Sequence, residues 1–102
     1  MLLAARRPTA IVAYSSNIVV PVLQVAAQLG LHLPRDLSVV VFADTPSQEI
    51  GRPVTTVCLK MSSVGNEAVK MLLQKIQEPS QPQASLPITP WFFQGNTSGP
   101  PP

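Results

Sequence analysis

The segment LSVVVF at residues 37–42 carries the clearest structural pattern in this chain of 102 residues. Its last four residues are apolar in succession, without the alternation of a strand that is exposed to water on one face. An unbroken run of this kind is typical of a strand that is covered on both faces of a parallel sheet. We therefore expect a central buried strand over residues 37–42.

Strand-like and helix-like segments alternate on both sides of this central strand. Pro8 favours an extended entry into an apolar run, the segment Ser15-Ser16-Asn17 can cap a helix start, and Gly30 can end that helix. Pro21 is expected in the first turn, where it removes no backbone hydrogen bond. The order predicts an α/β fold, a mostly parallel sheet with flanking helices. The predicted elements are a strand at 10–14, a helix at 18–29, a strand at 37–42, a loop at 43–53, a strand at 54–59, a helix at 64–77, a linker at 79–83 and an extended segment at 86–94.

The first predicted helix is apolar on two sides. Among residues 18–29, only Gln24 and Gln28 are polar. A helix on one side of a sheet needs a single apolar stripe, so a second stripe indicates cover by something else. A helix within a fully buried crossover is the alternative. One stripe consists of Ile18, Val22, Val25, Ala26 and Leu29, and the other consists of Val19, Leu23 and Ala27.

Composition and charge exclude several classes of function. Seven basic against five acidic residues give a net charge of +2, and no basic cluster exceeds Arg6-Arg7, so the chain lacks the positive stripe of a nucleic-acid surface. The apolar stretch 10–29 has too many polar and proline interruptions to span a membrane. Apolar residues precede the arginines at the N-terminus, the reverse of a secretory signal, and a single cysteine fits a reducing compartment. We therefore expect a cytoplasmic protein.

No constellation of catalytic or metal-ligating residues emerges. His32 is the only histidine and is expected on an exposed turn, whereas Cys58 is expected as a buried, inert thiol within a strand. One histidine and one cysteine cannot complete a zinc site of about four ligands, and the scattered glycines form no phosphate-binding loop. We therefore expect neither an enzyme nor a cofactor.

A ligand can bind where the first strand ends. Residues 14–17 follow that strand and open a helix, and open α/β sheets place their ligands at this edge, where a helix N-terminus offers unpaired N–H donors. Capping of the helix by Ser16 or Asn17 is the alternative role of this segment. Asp44 and Glu49 are the nearby carboxylates, in the loop after the central strand, and solvated turn residues are the alternative for them.

Short motifs follow one another in a familiar order from residue 6 to residue 98. They are Arg7-Pro8-Thr9-Ala10-Ile11, Leu29-Gly30, Leu33-Pro34-Arg35-Asp36-Leu37-Ser38-Val39-Val40, Pro53-Val54-Thr55-Thr56-Val57, Gly65-Asn66-Glu67-Ala68, Leu72-Leu73, and the closing segment from Leu86-Pro87 to Gly95-Asn96-Thr97. The series resembles the lactose/galactose-repressor (LacI/GalR) family of bacterial transcription regulators. Members of that family join a helix-turn-helix head to a two-lobed, periplasmic-binding-protein-like domain for sugars or purines.

The resemblance implies which part of such a regulator this chain represents. Residues 1–98 correspond to the C-terminal portion of the effector-binding domain, resembling its C-terminal lobe, and residues 99–102 to a disordered tail. DNA contact would then come only through a head that is absent from this chain. The family also implies a homodimer to which the first helix contributes, and a second helix that packs in the N-terminal lobe. The implied dimer residues are Ile18, Val22, Val25, Ala26 and Leu29, and the residues left without native cover are Val64, Leu72 and Ile76.

The resemblance also locates a small-molecule site. The family's effector-contacting carboxamide and carboxylate correspond to Ser15 and Ser16, and the aspartate after the second strand corresponds to Ala43, followed by Asp44. These replacements remove charge-assisted acceptors for sugar hydroxyls, which implies an altered or degenerate pocket. The candidate effector-binding residues, for a sugar or purine, are Tyr14, Ser15, Ser16, Ala43 and Asp44.

Two functions stay open at this point. One is the effector-sensing and dimerisation part of a transcription regulator, in which closure of a hinge between lobes changes the spacing of the paired DNA heads. The alternative is a stand-alone protein-interaction module derived from such a domain, without DNA binding.

Overall fold

The structure, a computed structural model, describes residues 6–48 and 51–102, and these residues form four strands and two helices. The strands form one sheet in the order β1-β2-β3-β4, in which β1, β2 and β3 are parallel and β4 is antiparallel to β3. The predicted α/β fold with a mostly parallel sheet is therefore confirmed. The elements are β1 (Ala10–Ala13), α1 (Ser16–Gln28), β2 (Ser38–Ala43), β3 (Thr55–Cys58), α2 (Met61–Gln77) and β4 (Trp91–Phe93).

The two ends of α1 use the residue types that the sequence offers. Ser15 is the N-cap, and its Oγ accepts a hydrogen bond from the Asn17 N–H at 3.3 Å, so the cap is neither Ser16 nor Asn17. Gly30 follows the helix with a φ of 72°, as a left-handed terminating residue. Pro21 lies in the second turn and not in the first, so the helix forgoes one internal hydrogen bond there.

The stripe of α1 that faces the sheet differs from the predicted one. Val19, Leu23 and Ala26 are the buried residues of the helix. Ala26 has no exposed surface and packs with Leu37 and Val39, so its side chain cannot contact a partner and the prediction for this residue is wrong. The other four predicted contact residues form what we call the outward face of α1. Ile18 and Val22 are half-buried at its margin, whereas Val25 and Leu29 are 43% and 37% exposed.

Only one face of the sheet is covered by a helix in the described part of the chain. Helix α1 packs on the face that carries Ala13, Val39 and Val41, and it contacts β1 and β2. Ser38 and Thr55 on the opposite face are covered by residues 98 and 99. No helix covers the rest of that opposite face, so the expectation of a central strand covered on both faces is wrong there. We call this uncovered part the open sheet face. It consists of Val12, Val40, Phe42, Val57 and Phe92.

Helix α2 contacts no other helix or strand of the described residues. None of its residues is buried. The side chains expected to lack cover are indeed uncovered, with Val64, Leu72 and Ile76 exposed by 38%, 60% and 64%. The linker over residues 81–86 runs along the polar side of the helix, where the Gln83 amide donates a hydrogen bond to the Met71 carbonyl. The apolar side of α2 therefore faces no other part of the described chain.

The C-terminal segment packs against the sheet next to the start of β3. Thr97 is fully buried there, and Gly95 lies so close to the strand that an added Cβ would meet Thr55 N at 2.6 Å. Gly99, assigned to the predicted tail, both donates to and accepts from the Ser38 hydroxyl, at 3.1 and 3.2 Å. Hydrogen bonding to the sheet therefore continues through Gly99, although Gly99 and residues 100–102 are all exposed.

Candidate functional site

The ends of the parallel strands bring the candidate site residues to one edge of the sheet. Ala13 of β1 is opposite Val41 of β2, so Tyr14 and the residues from Ala43 onward leave their strands at the same edge. Helix α1 starts at this edge directly after β1, and α2 starts there after β3. Because helix N-termini expose unpaired N–H groups, the edge has donors for an anion or a polar ligand.

The three residues that follow β1 differ in their environment. Tyr14 is 80% exposed. Ser15 is occupied as the N-cap of α1, a role that the capping alternative gave to Ser16 or Asn17. Ser16 is the first residue of the helix and is half-buried. This segment therefore presents hydroxyl groups but no charge to a ligand.

The last residue of β2, Ala43, and the next residue, Asp44, both bond to the chain at the start of α2. The Ala43 carbonyl accepts a hydrogen bond from the Leu59 N–H at 2.9 Å. The Asp44 Oδ1 accepts from the Met61 N–H, also at 2.9 Å, at a helix whose own N-cap, Lys60, makes no side-chain cap. A carboxylate at a helix N-terminus is stabilising, so Asp44 has a structural partner and is more than a solvated turn residue. Glu49, the other candidate carboxylate, lies outside the described residues.

A buried hydroxyl in the same loop was missed from the sequence. Ser47 is 6% exposed, and its N–H donates to Thr56 Oγ1 at 3.2 Å. Its own Oγ has no hydrogen-bond partner among residues 6–48 and 51–102. No local pattern marks this serine, because its burial arises from the pairing of the loop with Val54.

The titratable residues considered for chemistry lie apart from one another. Cys58 is 1% exposed, and its burial, followed by the negative charge of Asp44, raises the pKa of its thiol, so the expected buried thiol is confirmed. His32 is exposed, as expected, and its backbone N–H donates to Asp36 Oδ2 at 2.9 Å. The hydrogen bond from Arg35, followed by that from His32, lowers the pKa of the Asp36 carboxyl. Within the described chain, no group of three or more metal-ligating side chains comes together.

Two cavities of the described chain lie away from this edge. One, of about 520 Å³, is between the polar side of α2 and the linker. The other, of about 480 Å³, lies beside α1 and is lined by Leu23, Gln24, Ala27, Leu31, His32, Leu33 and Arg52. None of the five candidate effector-binding residues lines either cavity. No helix of the described residues is both long and apolar enough to cross a membrane.

In open α/β sheets, ligands bind at the carboxyl edge of the strands, and this is the edge that carries the candidate residues and the helix N-termini here. Residues 1–97 match the family model described as a periplasmic binding protein-like domain. The chain belongs to this family and represents part of the effector-binding domain of a LacI/GalR-family regulator.

Curated relatives and solved structures agree with this assignment. The chain is 33% identical over 91 residues to the ribose operon repressor of Haemophilus influenzae, covering 88% of this chain and 27% of that protein. It is 34% identical over 101 residues to the HTH-type transcriptional regulator MalR of Streptomyces coelicolor, covering 97% and 29%. The crystal structure of a LacI transcriptional regulator from Bacillus cereus subsp. cytotoxis superposes with a TM-score of 0.81 at 27% identity, covering 96% and 35%.

These relatives confirm the resemblance seen in the motifs and its class of function. They are transcription regulators and not enzymes, so the chain belongs to a regulatory family. The chain spans less than a third of the length of the two curated relatives.

Proposed function

We propose that this chain is the effector-sensing and dimerisation part of a bacterial transcription regulator, with an altered ligand pocket. The observation that supports this most directly is the chemistry of the carboxyl edge. Ser15 caps α1, Ala43 presents a methyl group, and Asp44 is bonded to Met61. A sugar at this edge would find hydroxyls, helix N–H donors and the Asp44 carboxylate, which is already bonded to the Met61 N–H, in place of the acceptors that the family has at Ser15, Ser16 and Ala43.

The sugar class is tested by restoring one carboxylate. We expect Ser16→Asp to bind ribose at least about tenfold more tightly than the unaltered chain, because a hydrogen bond to a charged acceptor contributes about 1.5–3 kcal/mol. Ribose is the first probe because a relative is a ribose operon repressor. Binding is measured by NMR titration, which detects millimolar affinities, and a panel of hexoses and purine bases follows.

Asn17→Asp is the matched control for this substitution. It adds the same charge to the same helix terminus, so it reproduces any gain in helix stability without restoring the site. Ribose binding of the unaltered chain as tight as that of Ser16→Asp would contradict an altered pocket. Absence of binding to every compound by all three proteins would contradict effector sensing and support the protein-interaction module.

The dimer contact is proposed on the outward face of α1, formed by Ile18, Val22, Val25 and Leu29 without Ala26. Val25 and Leu29 are exposed apolar side chains next to the packed side of the helix, and they support an external contact. We expect Val25→Glu to raise the dissociation constant of this contact at least about tenfold, because it places an unpaired charge in an apolar surface. Sedimentation velocity at micromolar concentrations measures it, with exposed Gln24→Glu as the control. A clean monomer of the unaltered chain would contradict the proposal.

The remaining properties follow from this role and are proposed together with it. In the parent regulator, DNA contact would be made by a head outside this chain, and closure between the lobes would move the paired heads. A cytoplasmic location accompanies regulation of transcription in a bacterium. Residues 1–98 are proposed as the domain portion, with residues 1–5 and 49–50 outside the described structure.

A further inference from the structure

We propose that Trp91 is a residue on which the effector stacks, and that the effector is a planar nitrogen heterocycle that carries N–H donors. This inference deepens the proposed function and rests on it, because it names the ligand class of the same sheet edge. Three features support it: the row of residues that ends in Trp91, the exposed indole ring, and the small number of polar partners at the edge.

Three neighbouring strands place Ala43, Cys58 and Trp91 in one row across the sheet. Ala43 is opposite Cys58, and Cys58 is opposite Trp91, so the three side chains lie on the same face. Ala43 and Cys58 are the last residues of β2 and β3. Because β4 is antiparallel to β3, its first residue, Trp91, reaches this same edge. Trp91 therefore belongs to the edge of the candidate site, and it was missed from the sequence because no local pattern gives the direction of β4.

The indole ring of Trp91 is available to a ligand at this edge. The residue is 49% exposed, and its ring packs on that of Phe93 with the centroids 6.2 Å apart and an angle of 51° between the planes. Cys58 beside it is buried, and Ala43 adds only a methyl group to the row. The row therefore carries no charge and ends in a half-exposed aromatic ring, which suits the flat face of another ring.

The polar groups of the edge are too few for a ligand with many hydroxyl groups. The Ser15 hydroxyl accepts a hydrogen bond from the Asn17 N–H, and Asp44 Oδ1 accepts one from the Met61 N–H. A sugar held against the row would bury hydroxyl groups, and each one without a partner weakens binding. A heterocycle has fewer groups to satisfy and gains affinity from stacking, so the edge favours it over a sugar.

Asp44 supplies an acceptor for the N–H groups of such a ring. Its side chain is exposed, and a carboxylate has lone pairs for further donors besides the Met61 N–H. Its negative charge acts on the row itself, because it is the second cause, after burial, that raises the pKa of the Cys58 thiol. The edge therefore combines a stacking surface with a nearby acceptor, and this combination suits an aromatic ring with N–H donors.

The only tryptophan of the chain is Trp91, so its fluorescence reports on stacking directly. Adenine is the first probe, with excitation at wavelengths that adenine does not absorb, and we expect it to quench the emission. Trp91→Leu should raise the adenine dissociation constant at least about fivefold, measured by NMR titration, because the stacking contact is lost. Trp91→Phe keeps an aromatic ring and should lose less. Phe92→Leu is the matched control, since Phe92 is 56% exposed on the same strand but lies on the open sheet face.

Several results would overturn this proposal. If Trp91→Leu keeps the amide spectrum of the folded chain and binds adenine as tightly as before, Trp91 has no stacking role; equal weakening by Phe92→Leu would lead to the same conclusion. Absence of binding of every purine base to the unaltered chain would overturn the ligand class. If Ser16→Asp then binds ribose, effector sensing stands and only the heterocycle is rejected, so this failure is distinguishable from failure of the proposed function.

Discussion

Replacement of Thr97 with valine is expected to lower the free energy of unfolding by about 1 to 3 kcal/mol, because it removes both buried hydrogen bonds of the hydroxyl group. The Thr97 hydroxyl donates to the Val39 carbonyl at 2.7 Å and accepts from the Thr55 N–H at 3.0 Å. Its backbone carbonyl also accepts from the Val39 N–H at 2.8 Å. Thr97 therefore takes the place of a strand residue between β2 and β3, at the point before β3 begins.

Valine has almost the shape of threonine, so the variant isolates the hydroxyl. Thr97 is fully buried, and water cannot replace the lost partner without opening the sheet. Thr97→Ser is the matched control, since it keeps the hydroxyl and costs about 1 kcal/mol for the lost methyl group. Unfolding in urea is measured at one fixed protein concentration, because association would add to stability. Equal stability of Thr97→Val and the unaltered chain would contradict this role.

Leu23→Ala is expected to lower the free energy of unfolding by about 2 to 4 kcal/mol, whereas Leu29→Ala should lower it by less than about 1 kcal/mol. Leu23 is 8% exposed and packs in one cluster with Val19, Val41 and Val54. Truncation there leaves a cavity that the rigid sheet cannot fill. Leu29, at 37% exposure on the outward face of α1, loses little contact within its own chain.

The pair of variants shows which stripe of α1 faces the sheet. Both substitutions remove the same side-chain atoms, and because Leu29 is the C-cap of α1, a change in helix propensity applies only to Leu23. Urea unfolding gives the stabilities, and sedimentation of Leu29→Ala reports separately whether its outward face contributes to self-association. A larger loss of stability for Leu29→Ala than for Leu23→Ala in a monomeric sample would contradict this orientation of α1.

Much of the fold follows from local patterns. The apolar run at 37–42 predicts β2. The capping segment at 15–17 and the glycine at position 30 predict the two ends of α1 to within about two residues, because each of these signals lies next to the helix end that it marks. The common edge of Tyr14 and Ala43 also follows, because parallel strands end on the same side of a sheet. The structure therefore brings the candidate residues to one sheet edge, and their role as a binding site stays a prediction.

The sequence by itself determined the order of strands and helices, the apolar character of both faces of α1 and the family, because these depend on residue type and short-range spacing. Only the tertiary structure decided that Ala26 faces the core, that Asp44 caps α2 and that Thr97 joins β2 to β3. The last two contacts link residues 17 and 42 positions apart. Their formation depends on how the strands and loops align in space, and no local periodicity carries that information. The orientation of Ala26 is undetermined for a different reason, because a helix with two apolar stripes can face a sheet with either of them.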